Sequence, residues 1–317
     1  ARGLTMAGLT AEDRIHICYG YGLFTGGMGL DFGARKLGAM AIPMSAGNTK
    51  RQLMCMEDFG ATAFACTPSY ALYLAEAANE AGIVDKLQLK VGINGAEPWT
   101  EEMRLKIEEL LDVNCFDIYG LCEVTGPGVA LECIHHNGMH VYEDYFYPEV
   151  LNPADHTPCA DGETGELVFT TLVKEGMPLL RYRTKDLTSI DHSTCECGRT
   201  LPRISKFKGR TDDMKVIRGV NVFPTQIESV ILEMAEFEPH YLLTIDRKNN
   251  TDTMELKVEV RPDYYSDEIN KMLALKKKLA ARLQSVLGLG VDVRLVEPRS
   301  IERSVGKAKR VIDNRKL

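Results

Sequence analysis

Residues 87–120, LQLKVGINGAEPWTEEMRLKIEELLDVNCFDIYG, carry one full cycle of strand, turn, helix and strand. LQLKVGINGAEP (87–98) reads as a strand running into a turn at Gly95-Ala96-Glu97-Pro98. In EEMRLKIEELL (101–111), Met103, Ile107, Leu110 and Leu111 return to one side of a 3.6-residue period, which predicts an amphipathic helix. CFDIYG (115–120) is again a strand, closed by a glycine. Strands that alternate with helices predict α/β layers with ligands at the strand ends.

The same grammar extends toward the N-terminus. RIHICY (14–19), AIPMS (41–45) and Ala63 to Cys66 read as strands, and residues 50–59 and about 70–81 as helices. Between them YGLFTGGMGLDFGARKLGA is dense in glycine and then helical. Toward the C-terminus the pattern changes near Gly138. HVYEDYFYPEVLNP, GETGELVFTTL and PLLRYRTKDLTSI read as short strands separated by turns, which predicts a small, mostly antiparallel subdomain. The charged turn at 208–213 marks a domain boundary. Beyond it lies a compact α+β domain. QIESVILEM is its first helix, a hairpin crosses Asn249 and Asn250, a long helix at 266–288 is ended by Gly288, and VDVRLVEP is a strand. The tail SIERSVGKAKRVIDNRK reads as basic and turn-like. The expected domains are therefore 1–211, divided into α/β layers at 1–130 and a β subdomain at 131–211, and 212–317.

The bulk numbers narrow the function classes. A chain of 317 residues with 44% hydrophobic and 26% charged residues is an ordinary globular composition. A formal charge of -7 provides no general attraction to nucleic acid or to an anionic membrane, and neither is expected as a partner. No apolar run is long enough to span a bilayer, and ARGLTMAGLTAEDR lacks the apolar core of a secretory signal, so the cytoplasm is the expected compartment.

Nine cysteines spread through so long a chain do not read as a disulfide scaffold. Cys18, Cys55, Cys66 and Cys115 stand in apolar contexts and are expected as small buried fillers. Cys195 and Cys197 differ, because a CxC followed by glycine joins an upstream Cys133 and His140. Two such pairs, each bracketing a turn, would make a closed four-ligand set suited to structural zinc. The competing reading is free thiols in a reducing compartment.

YGYGLFTGG (19–27), YGLCEVTGPG (119–128), TTLVKEGMPLLRYRTKD (170–186), GRTDDMKVIRGVNVFP (209–224) and SVGKAKR (304–310) occur in order. In that order and wording the chain resembles phenylacetate–coenzyme A ligases, within the adenylate-forming acyl ligases, and the resemblance runs along essentially all of it. It implies a large α/β adenylation domain with a small β subdomain and a mobile α+β C-terminal domain. It also implies ATP, Mg²⁺ and coenzyme A, an aryl carboxylic acid as substrate, and a homodimer. Family members carry a Ser/Thr/Gly-rich phosphate loop upstream of the tyrosine-glycine motif. ARGLTMAGLT does not fit that loop, so the chain is expected to begin after it.

The resemblance assigns roles that chemistry can support. Asp186, after an Arg-Tyr-Arg cluster, would accept both ribose hydroxyls, as a carboxylate can; its plainer role is a turn cap paired to Arg183. Arg210 would reach ribose or phosphate oxygen, while Arg181 and Arg183 organise the turn. Tyr119, followed by Gly120, would stack on adenine, and Glu123 would help hold magnesium, a hard cation that takes oxygen ligands. Gly95, Ala96, Glu97 and Pro98 would flank adenine and the acyl pocket. Tyr21, Phe24, Gly26, Gly95, Ala96 and Pro127 would line that pocket, with no lysine or arginine among them to pair a second carboxylate. Lys307 would neutralise charge between the acyl carboxylate and the α-phosphate. Asp212 would be the hinge of a domain rotation, and Gly219 would line the thiol tunnel. Transfer to a carrier-protein thiol, or a non-catalytic module that binds an aryl-adenylate, are the alternatives.

Overall fold

The computed structural model describes residues 1–22, 25–212, 214–218, 220–248, 251–266, 268–303 and 309–315. The chain divides into two compact units, chiefly between Thr211 and Asp212, with Thr100–Met103 grouped with the second. The first alternates α1 (Arg2–Met6), β1 (Arg14–Ile17), α2 (Thr25–Leu37), β2 (Met40–Ile42), α3 (Thr49–Asp58), β3 (Ala63–Cys66), α4 (Pro68–Glu80), β4 (Val91–Gly95), α5 (Glu101–Leu111) and β5 (Asn114–Leu121). Strands follow: β6 (Gly126–Glu132), β7 (Met139–Val141), β8 (Phe146–Leu151), β9 (Gly165–Thr171), β10 (Tyr182–Thr188), β11 (Ile190–Asp191), β12 (Arg203–Ile204) and β13 (Gly209–Arg210).

A nine-stranded sheet has the order β11-β12-β7-β6-β5-β4-β3-β1-β2. Its β2-β1-β3-β4-β5 half is parallel, and β6 turns the direction. All five residues of β4 are buried, as a central strand covered on both faces requires. On α5, Met103, Ile107 and Leu111 are buried and Leu110 is half-buried, which matches the expected face. A four-stranded antiparallel sheet, β13-β10-β9-β8, supplies the expected β subdomain. Three short strands from within 131–211 depart from that expectation. Strands β7, β11 and β12 extend the large sheet instead, because β7 pairs back on β6 and β12 pairs on β7. Cys18, Cys66 and Cys115 are buried, but Cys55 is only half-buried, because it lies outside the Gln52, Leu53 and Met56 face that α3 buries.

The second unit begins with the hairpin β14 (Lys215–Ile217) and β15 (Val220–Val222), then α6 (Pro224–Leu232). Strands β16 (Phe237–Lys248) and β17 (Thr251–Val260) form the expected hairpin, although Asn249 and Asn250 lie outside the described residues. Helix α7 (Ile269–Leu287) ends at Gly288, whose φ of 73° is the left-handed conformation that closes a helix. Strand β18 (Asp292–Val296) joins β17, and β19 (Val311–Asp313) joins β16, both in parallel. Strand β19 corrects the turn-like reading of the tail: three residues are too short for periodicity to reveal, and the pairing is made with a strand far back in sequence. Leu279, Leu283 and Leu287 of α7 pack with Ile227, Ile231, Leu243, Leu256 and Val258 in a separate core. Among the described residues no helix is long and apolar enough to cross a membrane.

Candidate functional site

Strand β10 carries Asp186 directly opposite Arg210 of β13 in antiparallel register. The pairing brings Arg210 Nη1 to 3.1 Å from Asp186 Oδ1. From β5, the Tyr119 hydroxyl donates to Asp186 Oδ2 at 2.7 Å. Three segments of the sequence thus meet on one carboxylate. Burial raises the Asp186 carboxyl above its usual range, and the Tyr119 hydrogen bond and Arg210 oppose that rise. Burial, then the Asp186 charge, holds the Tyr119 phenol well above its ordinary value, so this hydroxyl stays a donor. Arg183 does not pair with Asp186. It grips Glu166 through Nε at 3.0 Å and through Nη2, while Arg181 takes both oxygens of Glu149 at 3.1 Å.

The ring of Tyr119 lies 4.5 Å from that of Phe207 and 6.3 Å from that of Phe169, centroid to centroid. Sequence reading named Tyr119 alone. Phe207 stands only three residues before Arg210, so that proximity was the available signal.

At the end of β4 the backbone is crowded. A Cβ on Gly95 would lie 2.0 Å from the Ile118 carbonyl oxygen, and one on Gly120 would lie 1.9 Å from that of Gly126. Ala96 follows with a φ of 70°, a conformation that a residue with a side chain adopts only under constraint. Glu97 is partly committed to structure: its Oε1 accepts from the backbone N–H of Ser69 at 2.7 Å, in the first turn of α4. A carboxylate there satisfies an orphan donor and meets the positive end of the helix. Pro98 is exposed. Tyr19, on the floor of the same region, ties two strand ends together by donating to the carbonyls of Cys66 at 2.7 Å and Gly95 at 3.2 Å.

Glu123 is exposed after β5, and its backbone carbonyl accepts from Lys174 Nζ. Gly26 stands in the first turn of α2 and Tyr21 precedes that helix, where burial, then Asp31, pushes the Tyr21 phenol up to about 12. Pro127 abuts α2, where a Cβ on Gly29 would meet its ring at 2.5 Å. Asp212 opens the second unit and is exposed. Phe24, Gly219 and Lys307 lie outside the described residues.

The four metal-ligand candidates do converge. One ligand atom each from Cys133, His140, Cys195 and Cys197 lies within 4.8 Å of every other. Cys133 Sγ is 3.8 Å from Cys195 Sγ, and Cys197 Sγ is 3.5 Å from His140 Nε2. A tetrahedron with metal–sulfur bonds of about 2.3 Å has edges of about 3.8 Å, so the donor set and its spacing fit zinc. Cys133 leaves β6 and His140 lies on β7, whereas Cys195 and Cys197 sit in the turn between β11 and β12. That turn is closed by Gly198 N–H to the Cys195 carbonyl at 2.8 Å and Cys195 N–H to the Arg199 carbonyl at 3.1 Å.

One buried pair escaped sequence reading. Asp117 on β5 is buried beside Glu132 of β6, whose Oε2 accepts from the Asp117 backbone N–H at 2.8 Å. Burial first, and then the Glu132 charge, push the Asp117 carboxyl up to about 8. Within CFDIYG the aspartate looked like one polar residue of a strand; only the pairing of β5 with β6 reveals its neighbour.

Residues 219–315 match the family model described as the AMP-binding enzyme C-terminal domain. The chain is 46% identical over 320 residues to a phenylacetate-coenzyme A ligase of Escherichia coli, covering 100% of this chain and 72% of that protein. A phenylacetate-coenzyme A ligase of Thermus thermophilus is 45% identical over 331 residues, covering 100% of this chain and 74% of that one. Among solved structures, a 2-hydroxyisobutyryl-CoA ligase in its postadenylation state aligns with a TM-score of 0.92 and 30% identity, over 99% of this chain and 68% of that one.

Proposed function

As this chain belongs to the phenylacetate–coenzyme A ligase family, an ATP-dependent acyl–CoA ligase that works through an acyl-adenylate, we propose that its acid is phenylacetate or a close aryl analogue. The observation that carries the nucleotide part of the reading is the Asp186 carboxylate on β10, held by Tyr119 and Arg210, and the aryl acid follows the relatives. The Asp186 side chain keeps 15% of its surface exposed, which leaves its carboxylate open to the ribose hydroxyls of ATP. Arg210 places a fixed positive charge beside them.

In the first half-reaction the acid's carboxylate oxygen attacks the α-phosphorus of ATP, and pyrophosphate leaves. Lys307 is proposed to supply the positive charge between the two anionic reactants. In the second, the coenzyme A thiolate attacks the adenylate carbonyl and AMP leaves, giving the thioester. Tyr119 would face adenine, with Gly95, Ala96, Pro98 and Gly120 leaving room for the flat ring and Glu97 holding the loop to α4. Glu123, whose carboxylate is exposed, would hold Mg²⁺ against the phosphates, where the ion neutralises charge. Tyr21, Phe24, Gly26 and Pro127 would shape an apolar aryl pocket. Asp212, where the two units divide, would be the hinge between the half-reactions, and Gly219 would admit the thiol arm.

Cys133, His140, Cys195 and Cys197 would hold a structural Zn²⁺, pinning the β11–β12 turn to β6 and β7; four protein ligands leave no open position for chemistry. A cytoplasmic homodimer is the proposed form.

AMP formation from phenylacetate, Mg-ATP and coenzyme A tests the assignment in the full-length protein, with and without Lys307→Ala. Acid- and coenzyme A-dependent AMP that disappears in the variant supports it. No AMP with any aryl acid removes the aryl reading.

A further inference from the structure

The segment from β10 to β13 folds back on itself as one antiparallel ribbon, with a different set of polar side chains at each end. Strand β10 pairs with β13 at Asp186–Arg210 and Leu187–Gly209, and β11 pairs with β12 at Ile190–Ile204 and Asp191–Arg203. Between those pairs the two sides stay bonded. Ser205 N–H donates to the Ser189 carbonyl at 3.0 Å, and Lys208 N–H to that of Leu187 at 3.0 Å. Ser205 Oγ adds contacts with Thr188 Oγ1 at 3.0 Å and with the Ser189 N–H at 3.1 Å. The open end carries Asp186 and Arg210, with the Phe207 ring 4.5 Å from that of Tyr119. The closed end is the connection 192–202, which carries Cys195 and Cys197. A strand advances about 3.3 Å per residue, so the two ends lie roughly 20 Å apart.

The closed end has little apolar packing. From His192 to Leu201, Cys195 is the one buried residue. Strand β12 meets β7 only through Arg203–His140 and Ile204–Met139. Segments with so few buried contacts open at small cost, and closing a loop costs entropy that must be met by something that holds its ends. The Cys/His set does this: a metal on Cys133, His140, Cys195 and Cys197 ties the connection to β6 and β7. One of those ligands, His140, is itself the register partner of Arg203, where β12 begins its run toward Phe207 and Arg210. A ribbon bonded along its length moves as a unit. Fixing its closed end therefore restricts where its open end presents Phe207 and Arg210.

We infer that Cys133, His140, Cys195 and Cys197 form a positioning site for the nucleotide: the metal they hold fixes the β10–β13 ribbon, and with it the place of Phe207 against Tyr119 and of Arg210 beside Asp186. The inference rests on the proposed zinc and on the proposed nucleotide role of Asp186, and goes beyond both by joining them.

Coupling between two binding sites is reciprocal, so whatever factor zinc contributes to nucleotide affinity, nucleotide contributes to zinc affinity. AMP is the probe. It carries the adenine and ribose assigned to Tyr119 and Asp186, and it can be titrated without Mg²⁺, so a chelator does not interfere. In the full-length protein, removing zinc should weaken AMP about 5- to 50-fold by calorimetry, at a temperature where circular dichroism shows the stripped protein folded; added zinc should restore it. Saturating AMP should tighten zinc by the same factor, read by competition with a chromophoric chelator. Ile107→Ala, in the core under α5 and 0% exposed, separates coupling from stability: it should lower the thermal midpoint and leave AMP affinity within about twofold. Ser205→Ala with zinc bound removes the Oγ contacts inside the ribbon. It should weaken AMP about 3- to 10-fold, and it carries the test if the stripped protein does not stay folded.

AMP affinity within twofold of wild type in Ser205→Ala, or in a folded stripped protein, overturns the inference, and the metal then serves stability alone. An equal weakening by Ile107→Ala overturns it as well. Failure of the two underlying readings shows differently. A protein that takes up no zinc even when zinc is added removes the metal reading and the inference with it. Equal affinity of the zinc-loaded wild type for AMP and 2′-deoxy-AMP removes Asp186 from the ribose, and the inference falls with that assignment.

Discussion

Asp186→Asn keeps the shape of the side chain and removes its charge. In the structure Oδ2 accepts from Tyr119 at 2.7 Å and Oδ1 meets Arg210 Nη1 at 3.1 Å. An asparagine can still accept through one oxygen, but its amide nitrogen must present donors where an acceptor is needed. Hydrogen bonds to a charged group contribute about 1.5–3 kcal/mol and neutral ones about 0.5–1.5. If Asp186 receives two ribose hydroxyls, the substitution should weaken the transition state by about 2–3 kcal/mol, or about 30- to 150-fold in kcat/KM for ATP. The assay is acid-dependent pyrophosphate exchange with ATP and with 2′-deoxy-ATP. Wild type should disfavour the deoxy nucleotide by about 10- to 100-fold, and Asp186→Asn should discriminate by no more than about threefold.

The pH dependence supplies a second readout of the same residue. Burial raises the Asp186 carboxyl, against Tyr119 and Arg210, so its charge is lost at a higher pH than that of a free aspartate. As pH falls through that range kcat/KM for ATP should drop in wild type and stay flat in the asparagine variant. If Asp186→Asn retains both the wild-type kcat/KM and the wild-type preference for ATP over 2′-deoxy-ATP, Asp186 does not bind ribose, and its contacts with Tyr119 and Arg210 serve the fold alone.

Cys195→Ser, or prolonged treatment with a strong zinc chelator, should lower the thermal midpoint by about 5–10 °C, and metal analysis should find about one zinc per wild-type chain and none in the variant; an unchanged midpoint with no bound metal leaves four free thiols. Asp117 takes up a proton on folding between its free value of 3.8 and about 8, so the folded state binds more protons than the unfolded one across that window. Stability should therefore fall as pH rises from 4 to 8, with a limiting slope of about 1.4 kcal/mol per pH unit, and urea unfolding of Asp117→Asn should lack that component. Gly95→Ala puts a methyl 2.0 Å from the Ile118 carbonyl oxygen, which forces β4 and β5 apart; a loss of about 1–3 kcal/mol in urea unfolding is expected, with weakened nucleotide binding.

How much of this was legible depended on whether a residue acts through its neighbours in sequence or through remote ones. Helix α5 was readable to the residue, because its apolar side repeats within eleven positions. Gly288 was readable because a helix end has a local chemistry. The Cys/His set was readable as residue types, and the turn that holds Cys195 and Cys197 is itself local. Its four members meet only because β12 pairs with β7, which nothing in either strand announces. The same applies to Asp117 beside Glu132 and to Arg303 beside Glu259. Each looks like an ordinary polar residue until a strand pairing or a helix packing supplies its partner.

The carboxylates themselves show which polar groups serve ligands and which serve the fold. Glu259 has four donors on its two oxygens, two from the backbone and two from Arg303, and so has no lone pair left for a ligand. Glu166 is similar, taking two nitrogens of Arg183 and the Lys185 backbone N–H. Both are nearly inaccessible, at 0% and 1%. Asp186 is different: Tyr119 and Arg210 orient its oxygens, yet the side chain keeps 15% of its surface exposed. Saturation marks a carboxylate that fixes a scaffold, and partial satisfaction with some access marks one held ready for a ligand. By that criterion Arg183 and Arg303, which grip Glu166 and Glu259, serve the scaffold, and Asp186 fits its proposed role in binding ATP. Asparagine at 186 should therefore change nucleotide recognition with little effect on unfolding, whereas Glu259→Gln should lower the stability of the second unit, with no effect on the choice between ATP and 2′-deoxy-ATP.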